Sequence, residues 1–193
     1  MRTEVFLNEA ILLLIGGFIT LIAAVLLYIL QQIILRFIKR SGKVSIYYKH
    51  IYDLINGNPA SFKKDNQSLT IPLWLEIHNN KEVNQVVRNV NLALYDSGKM
   101  IDKATQANII KQGDQKKYLG NNGSYSFNLP PESIHQFEVY YIFEKSETNE
   151  EFDSIFLTYY TSKDKMISSK ILDIPDGWQT KSLNLNKDWT ESN

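Results

Sequence analysis

The side chains that carry most enzyme chemistry are sparse in this chain of 193 residues, which holds three histidines and no cysteine. Without cysteine, thiolate nucleophiles, disulfides and Cys-ligated zinc or iron are excluded together. His50, His78 and His135 stand at separations unlike any familiar metal-ligand spacing. Only His78 has a carboxylate that an extended strand would bring to its own face, Glu76 two positions earlier. A third ligand would have to come from another strand, so the pair reads as solvated or hydrogen-bonded, and His135, heading an aromatic alternation, as a partly buried structural residue. The segment Gly113 to Gly120 lacks the closing Lys and Ser or Thr of a phosphate loop. No Gly-x-Ser-x-Gly elbow occurs, and Glu150 and Glu151 sit in a charged link where solvation is the ordinary explanation. The expectation is a non-enzymatic protein with no catalytic, cofactor-binding or metal-binding residue.

Binding chemistry is better represented. Lys103, Lys111, Lys116 and Lys117 gather, with Tyr118, around the polar stretch from Lys111 to Gly123. Read as a long loop, that stretch suits an anionic ligand or headgroup, a solvated loop being the plainer alternative. Trp74 falls on the polar face of an alternating segment, where a large aromatic marks an interface unless the tail around Trp178 covers it. Trp74, Lys111, Lys116, Lys117 and Tyr118 are therefore the candidate binding residues.

The elements that must hold these residues are strands. Leu69, Ile71, Leu73, Leu75 and Ile77 alternate with Thr70, Pro72, Trp74, Glu76 and His78, the pattern of a half-buried strand, with Pro72 suggesting an edge or a bulge. Val86 to Tyr95 turns at Asp96-Ser97-Gly98-Lys99 into a weaker strand near Met100 to Ile110. Tyr125, Phe127 and Leu129 form another, stopped by Pro130-Pro131. His135 to Phe143 alternates with aromatics on one face and is expected to carry much of the core. Two further strands follow, around Ile155 to Tyr159 and Lys165 to Leu172, while Val44 to Leu54 is an ambiguous first strand broken at Asn56-Gly57-Asn58-Pro59. Seven or eight strands without an amphipathic helix among them predict an antiparallel β-sandwich over residues 44–172. The run Leu-Pro-Pro-Glu-Ser-Ile-His-Gln-Phe-Glu-Val, from Leu129 to Val139, resembles the corner of immunoglobulin-like bacterial domains. That resemblance implies the fold alone. Residues 173–193 are polar and are expected to form a largely unpacked tail.

Ahead of the strands lies a charge-free apolar run, Ala10 to Leu30. At ~1.5 Å per residue it spans the ~30 Å hydrocarbon core of a bilayer, and it has no polar stripe that would suit a soluble core. The helical pattern continues to about Lys39, and the leader carries Glu4 and Glu9 rather than a basic region, so the segment reads as a retained anchor over residues 1–43 and not as a cleaved signal. Arg2 stands alone before the run, whereas Arg36, Lys39, Arg40 and Lys43 follow it, which predicts the N-terminus outside and the domain in the cytoplasm. Gly16, Gly17, Thr20, Ala23 and Ala24 recur at spacings of three and four, the arrangement that lets two helices approach closely, so self-association is an expectation.

The formal charge of zero divides unevenly: five of 21 basic but only two of 21 acidic residues precede Val44, leaving the domain at net −3. A nucleic-acid partner is not expected. Asn66-Gln-Ser68 and Asn122-Gly-Ser124 match the glycosylation pattern but read as loop sequence if the domain is cytoplasmic. The Lys-, Asn-, Ile- and Tyr-rich composition suggests an AT-rich bacterium or its phage. The leading reading is a single-pass membrane protein whose β-sandwich is a non-catalytic interaction module meeting membrane lipid and a protein partner. The alternatives are a ligand-gated membrane effector that senses a small anion, and, with topology reversed, an exported receptor or exclusion factor.

Overall fold

A computed structural model describes residues 2–51, 63–64, 68–112, 114–148, 151–174, 177–179 and 185–192. The expected break at Asn56 to Pro59, the end of the first strand beyond Ile51, the sequon residue Asn66, Gly113, Glu150 and Pro175 lie outside them. The chain divides into two compact units, Met1–Ser41 and Gly42–Asn193.

The first unit is a single α-helix, α1 (Arg2–Arg40), of 39 residues. From Ile11 to Arg40 every side chain is exposed within the chain, and this stretch is long and apolar enough to cross a membrane or to act as a signal sequence. Lys39 and Arg40 in its last turn suit the negative end of the helix dipole. The Ser41 amide donates to the Phe37 and Ile38 carbonyls at 3.0 and 2.9 Å. Gly42 ends the helix at φ +99, where a Cβ would lie 2.4 Å from the Asn80 carbonyl oxygen, so no other residue fits without backbone displacement.

The second unit is an all-β, immunoglobulin-like antiparallel sandwich. In chain order its strands are β1 (Val44–His50), β2 (Lys63–Lys64), β3 (Ser68–Asn79), β4 (Gln85–Asp96), β5 (Lys99–Lys103), β6 (Thr105–Gln106), β7 (Ile109–Gln112), β8 (Gln115–Tyr118), β9 (Phe127–Leu129), β10 (Ser133–Glu144), β11 (Ser154–Tyr160), β12 (Met166–Asp173) and β13 (Thr190–Ser192). One sheet has the order β13-β1-β3-β10-β6 with β2 also on β3; the other is β12-β11-β4-β5 with β9 on β4; β7 and β8 form a separate ribbon.

Alternation dictates which faces meet. Leu69, Ile71, Leu73, Leu75 and Ile77 of β3 and Val139, Tyr141 and Phe143 of β10 are all at most 2% exposed, and they pack against Val90, Leu92, Leu94, Phe127, Leu129, Ile155 and Leu157 of the facing sheet. Each such aliphatic side chain contributes roughly 1.5–3 kcal/mol on removal from water. The aromatic alternation of β10 thus supplies core, as its sequence implies. Tyr141 also ties the sheets together, its hydroxyl donating to the Val90 carbonyl at 3.0 Å. Asn79, fully buried at the end of β3, donates to the carbonyls of Val83, Leu129 and Pro130 and accepts from the Lys81 amide, which fixes the turn after β3.

Four expectations need correction. Pro72 is not on an edge strand: β3 is interior, paired to β10 through Tyr140↔Pro72, and on its other side Pro72 falls between the end of the β1 ladder at His50↔Leu73 and the β2 ladder at Lys63↔Thr70. The weaker strand near Met100 to Ile110 is broken into β5, β6 and the start of β7, because the chain changes sheets there: Lys103 pairs with Ala93 of β4, whereas Thr105 pairs with Ile142 of β10, with buried Ala104 between them. The polar stretch after Lys111 is not a loop throughout, since Gln115–Tyr118 pairs with Ile109–Gln112 as a hairpin. The C-terminal tail returns to the domain: Leu185 is buried, and β13 pairs with β1 through Ile46↔Ser192 to Tyr48↔Thr190.

Candidate functional site

The outward residues of the first sheet form the richest arrangement of aromatic and charged groups. The register sets Lys49, Trp74 and Glu138 in one row across β1, β3 and β10, and Glu191, Tyr47, Glu76 and Gln136 in the next, with Ser45, His78 and Ile134 beyond. Trp74 is half-buried at the centre, Tyr47 and Tyr140, also half-buried, lie on the same face, and Ile134 is exposed.

Charge on this face is compensated locally. Lys117 reaches from β8 to Glu138 at 2.5 Å, His78 Nε2 lies 2.7 Å from Glu76 Oε1, and Lys43 meets Glu191 at 2.8 Å. The Lys43 bond holds the Glu191 carboxyl below its usual range. His78 also stacks at a tilt on Tyr47, with centroids 4.7 Å apart. Partial burial, then the Glu138 charge, raise the Tyr140 phenol. The result is an aromatic centre beside which Glu138 and Glu191 are paired with lysines and Glu76 is hydrogen-bonded to His78, which favours contact chemistry over long-range steering. Among the described residues no three His, Asp or Glu side chains group as a metal site.

The five candidate binding residues divide. Trp74 and Lys117 come together through Glu138. Lys111 and Lys116 face each other across the β7–β8 hairpin, and Tyr118 faces Ile109. Lys103 does not join them: it lies on β5 with its ammonium 5.6 Å from the centre of the Tyr160 ring. Trp178 packs edge-on against Phe152 at 5.4 Å, and among the described contacts it does not cover Trp74. Tyr47, Tyr140 and Glu138 were not legible as neighbours of Trp74, because outward residues of three strands share a face only once the register is known.

A second feature opens between β1 and β12, a cleft of about 450 Å³ lined by Tyr48, His50, Asn186 and the run from Lys170 to Asp173. The Tyr48 hydroxyl donates to the Ile171 carbonyl at 3.3 Å, bridging the two sheets, and Lys170 pairs with Asp173 at 2.8 Å. Burial lowers the His50 imidazole to about 4, and among the described residues its Nδ1 has no hydrogen-bond partner.

In the helix, the Thr20 hydroxyl donates back to the Gly16 carbonyl at 2.7 Å. A Cβ at Gly16 or Gly17 would meet nothing within 4 Å, so packing inside the chain does not require glycine at either position. Ala23 and Ala24 are likewise exposed within the chain.

Compared with known families, residues 35–172 match the family described as the YopI Ig-like domain. This chain belongs to that family. The YopI Ig-like match begins in the last turns of α1 and runs into β12, taking in Trp74, Glu138 and the β7–β8 hairpin but not β13. No curated protein matches the chain.

Proposed function

We propose that this chain is a single-pass membrane protein whose YopI Ig-like domain holds a protein partner, without catalysis, on the outward face around Trp74. The observation that carries the reading is Trp74 itself, half-buried at the centre of a sheet face with aromatic neighbours and locally paired charges. A central aromatic within a ring of hydrogen-bonded and ion-paired polar groups is the composition of an interface hot spot. The apolar helix supports the membrane tether, and the excess of Lys and Arg after it supports the N-terminus outside with the domain in the cytoplasm. Composition supports a bacterial or phage source. The small-anion effector reading is less favoured, because Lys117 is engaged with Glu138 and Lys111 and Lys116 project on a hairpin rather than line the cleft.

A photoreactive amino acid placed at Lys49, beside Trp74 on the same face, tests the docking surface in cells. The expected result is one discrete protein adduct. Trp74→Ala weakens retention of that partner by roughly 30-fold, while the unfolding midpoint moves little because the side chain is half exposed. An adduct pattern indifferent to Trp74→Ala would refute this face as the docking surface.

A further inference from the structure

We propose that the β7–β8 hairpin is a docking finger for an anionic bilayer surface; the proposal rests on the membrane reading of α1. Its two faces differ. On one, Lys117 is held against the body of the domain by Glu138. The other presents Ile109 opposite Tyr118, 43% and 57% exposed, and, one step toward the tip, Lys111 opposite Lys116.

Two lysines directly opposed across a ladder repel one another, and among the described residues neither has an ion-pair partner. Asp114, exposed in the turn, forms no ion pair with them. The arrangement is therefore a cationic tip above an exposed aromatic and aliphatic pair, with its charge left for an external anion. The four side chains lie on one face of a two-stranded ribbon and do not line the cleft between β1 and β12, which suits an extended charged surface better than a single small anion. A bilayer rich in anionic lipid offers that surface, with headgroups for the lysines and an interfacial layer for Tyr118 and Ile109.

The root is built to hold the finger in place. The Ala107 amide bonds the Tyr140 carbonyl, the Gly120 amide bonds the Glu138 carbonyl at 2.7 Å, and the Leu119 amide closes onto the Asn108 carbonyl. The Tyr125 hydroxyl accepts from the Tyr140 amide and lies 2.7 Å from the Ala107 carbonyl oxygen.

The test uses the full chain, reconstituted into vesicles of phosphatidylcholine alone or of phosphatidylcholine with phosphatidylglycerol. The chain has no cysteine, so Gln115→Cys gives a single attachment point at the tip for an environment-sensitive fluorophore. The expected result is a blue shift and gain of emission in the anionic vesicles only, reversed by high salt. Lys111→Gln with Lys116→Gln should lower the docked-to-undocked ratio about 30-fold, taking each lysine near an anionic surface at roughly a factor of five. These changes relieve the cross-strand repulsion, so the unfolding midpoint should hold or rise and loss of fold cannot mimic the effect. A chain that floats with both vesicles while the probe stays in water overturns the docking proposal alone. A shift raised by inorganic phosphate with neutral vesicles overturns it in favour of a soluble anion. A chain that floats with neither overturns the anchor reading and this proposal together.

Discussion

Tyr141→Ala is expected to cost the domain about 4 kcal/mol, the usual range for truncating a fully buried aromatic. The side chain is fully enclosed, meets Tyr125 edge-on with centroids 5.4 Å apart, and spans the sandwich from β10 to the Val90 carbonyl on β4. Truncation therefore removes core volume, an aromatic contact and the cross-sheet hydrogen bond at one stroke. Against a typical domain stability of about 5–15 kcal/mol, such a loss leaves the fold marginal or absent. Tyr141→Phe separates the terms. The ring stays, and the Val90 carbonyl keeps the Gln106 side-chain amide as a donor at 3.0 Å, so the cost should be about 1 kcal/mol. Denaturant unfolding of the detergent-solubilised chain reads both values. Equal costs for the two variants would show that the hydroxyl, not the ring, carries the stabilisation.

Acid is expected to weaken the domain through His50 before it titrates the carboxylates. Burial holds the folded imidazole at about 4, against 6.5 for an exposed one, so between those values the unfolded chain binds the extra proton. Stability is then full above about pH 6.5, declines as pH falls, and levels off for this group near pH 4. Between about pH 7 and pH 4.5 the loss amounts to roughly 2.5 kcal/mol. Asp153, held low by its bonds from Ser154 and the Ser97 amide, and Glu191, held low by Lys43, act in the same direction but at lower pH. Above about pH 4.5 the histidine dominates the slope. His50→Gln should flatten the unfolding free energy across that window, and an unchanged slope in the variant would mean that His50 is not the group responsible.

Strands with one face in the core were legible because burial imposes a period of two on the sequence. Leu69 to Ile77 and Phe137 to Phe143 alternate for that reason, and they became β3 and β10, the centre of the first sheet. The β7–β8 hairpin has no such imprint: apart from Gln112, its side chains from Ile109 to Tyr118 that are described are exposed or half-exposed, so neither face demands apolar residues. The return of β13 was hidden for a different reason. Three polar residues pair with β1, helped by an ion pair from Glu191 to Lys43 across 148 positions, and nothing local in the tail encodes it. Trp74 was recognisable as an oddity on a polar face. Its neighbours were not, because the row from Lys49 through Trp74 to Glu138 and on to Lys117 joins four strands and depends on the register of each. His50 illustrates the same limit, since its burial follows from its position opposite β12 and not from the aromatic-rich run around it.

The tether is the claim on which the rest depends, and orientation tests it most directly. A single Ser162→Cys change, in the exposed turn between β11 and β12 of a chain with no other cysteine, gives an impermeant maleimide one target. The chain is expected to stay with membranes through an alkaline carbonate wash, with Cys labelling absent in intact cells and complete after lysis. Labelling in intact cells, or recovery of the chain in the soluble fraction, would contradict it.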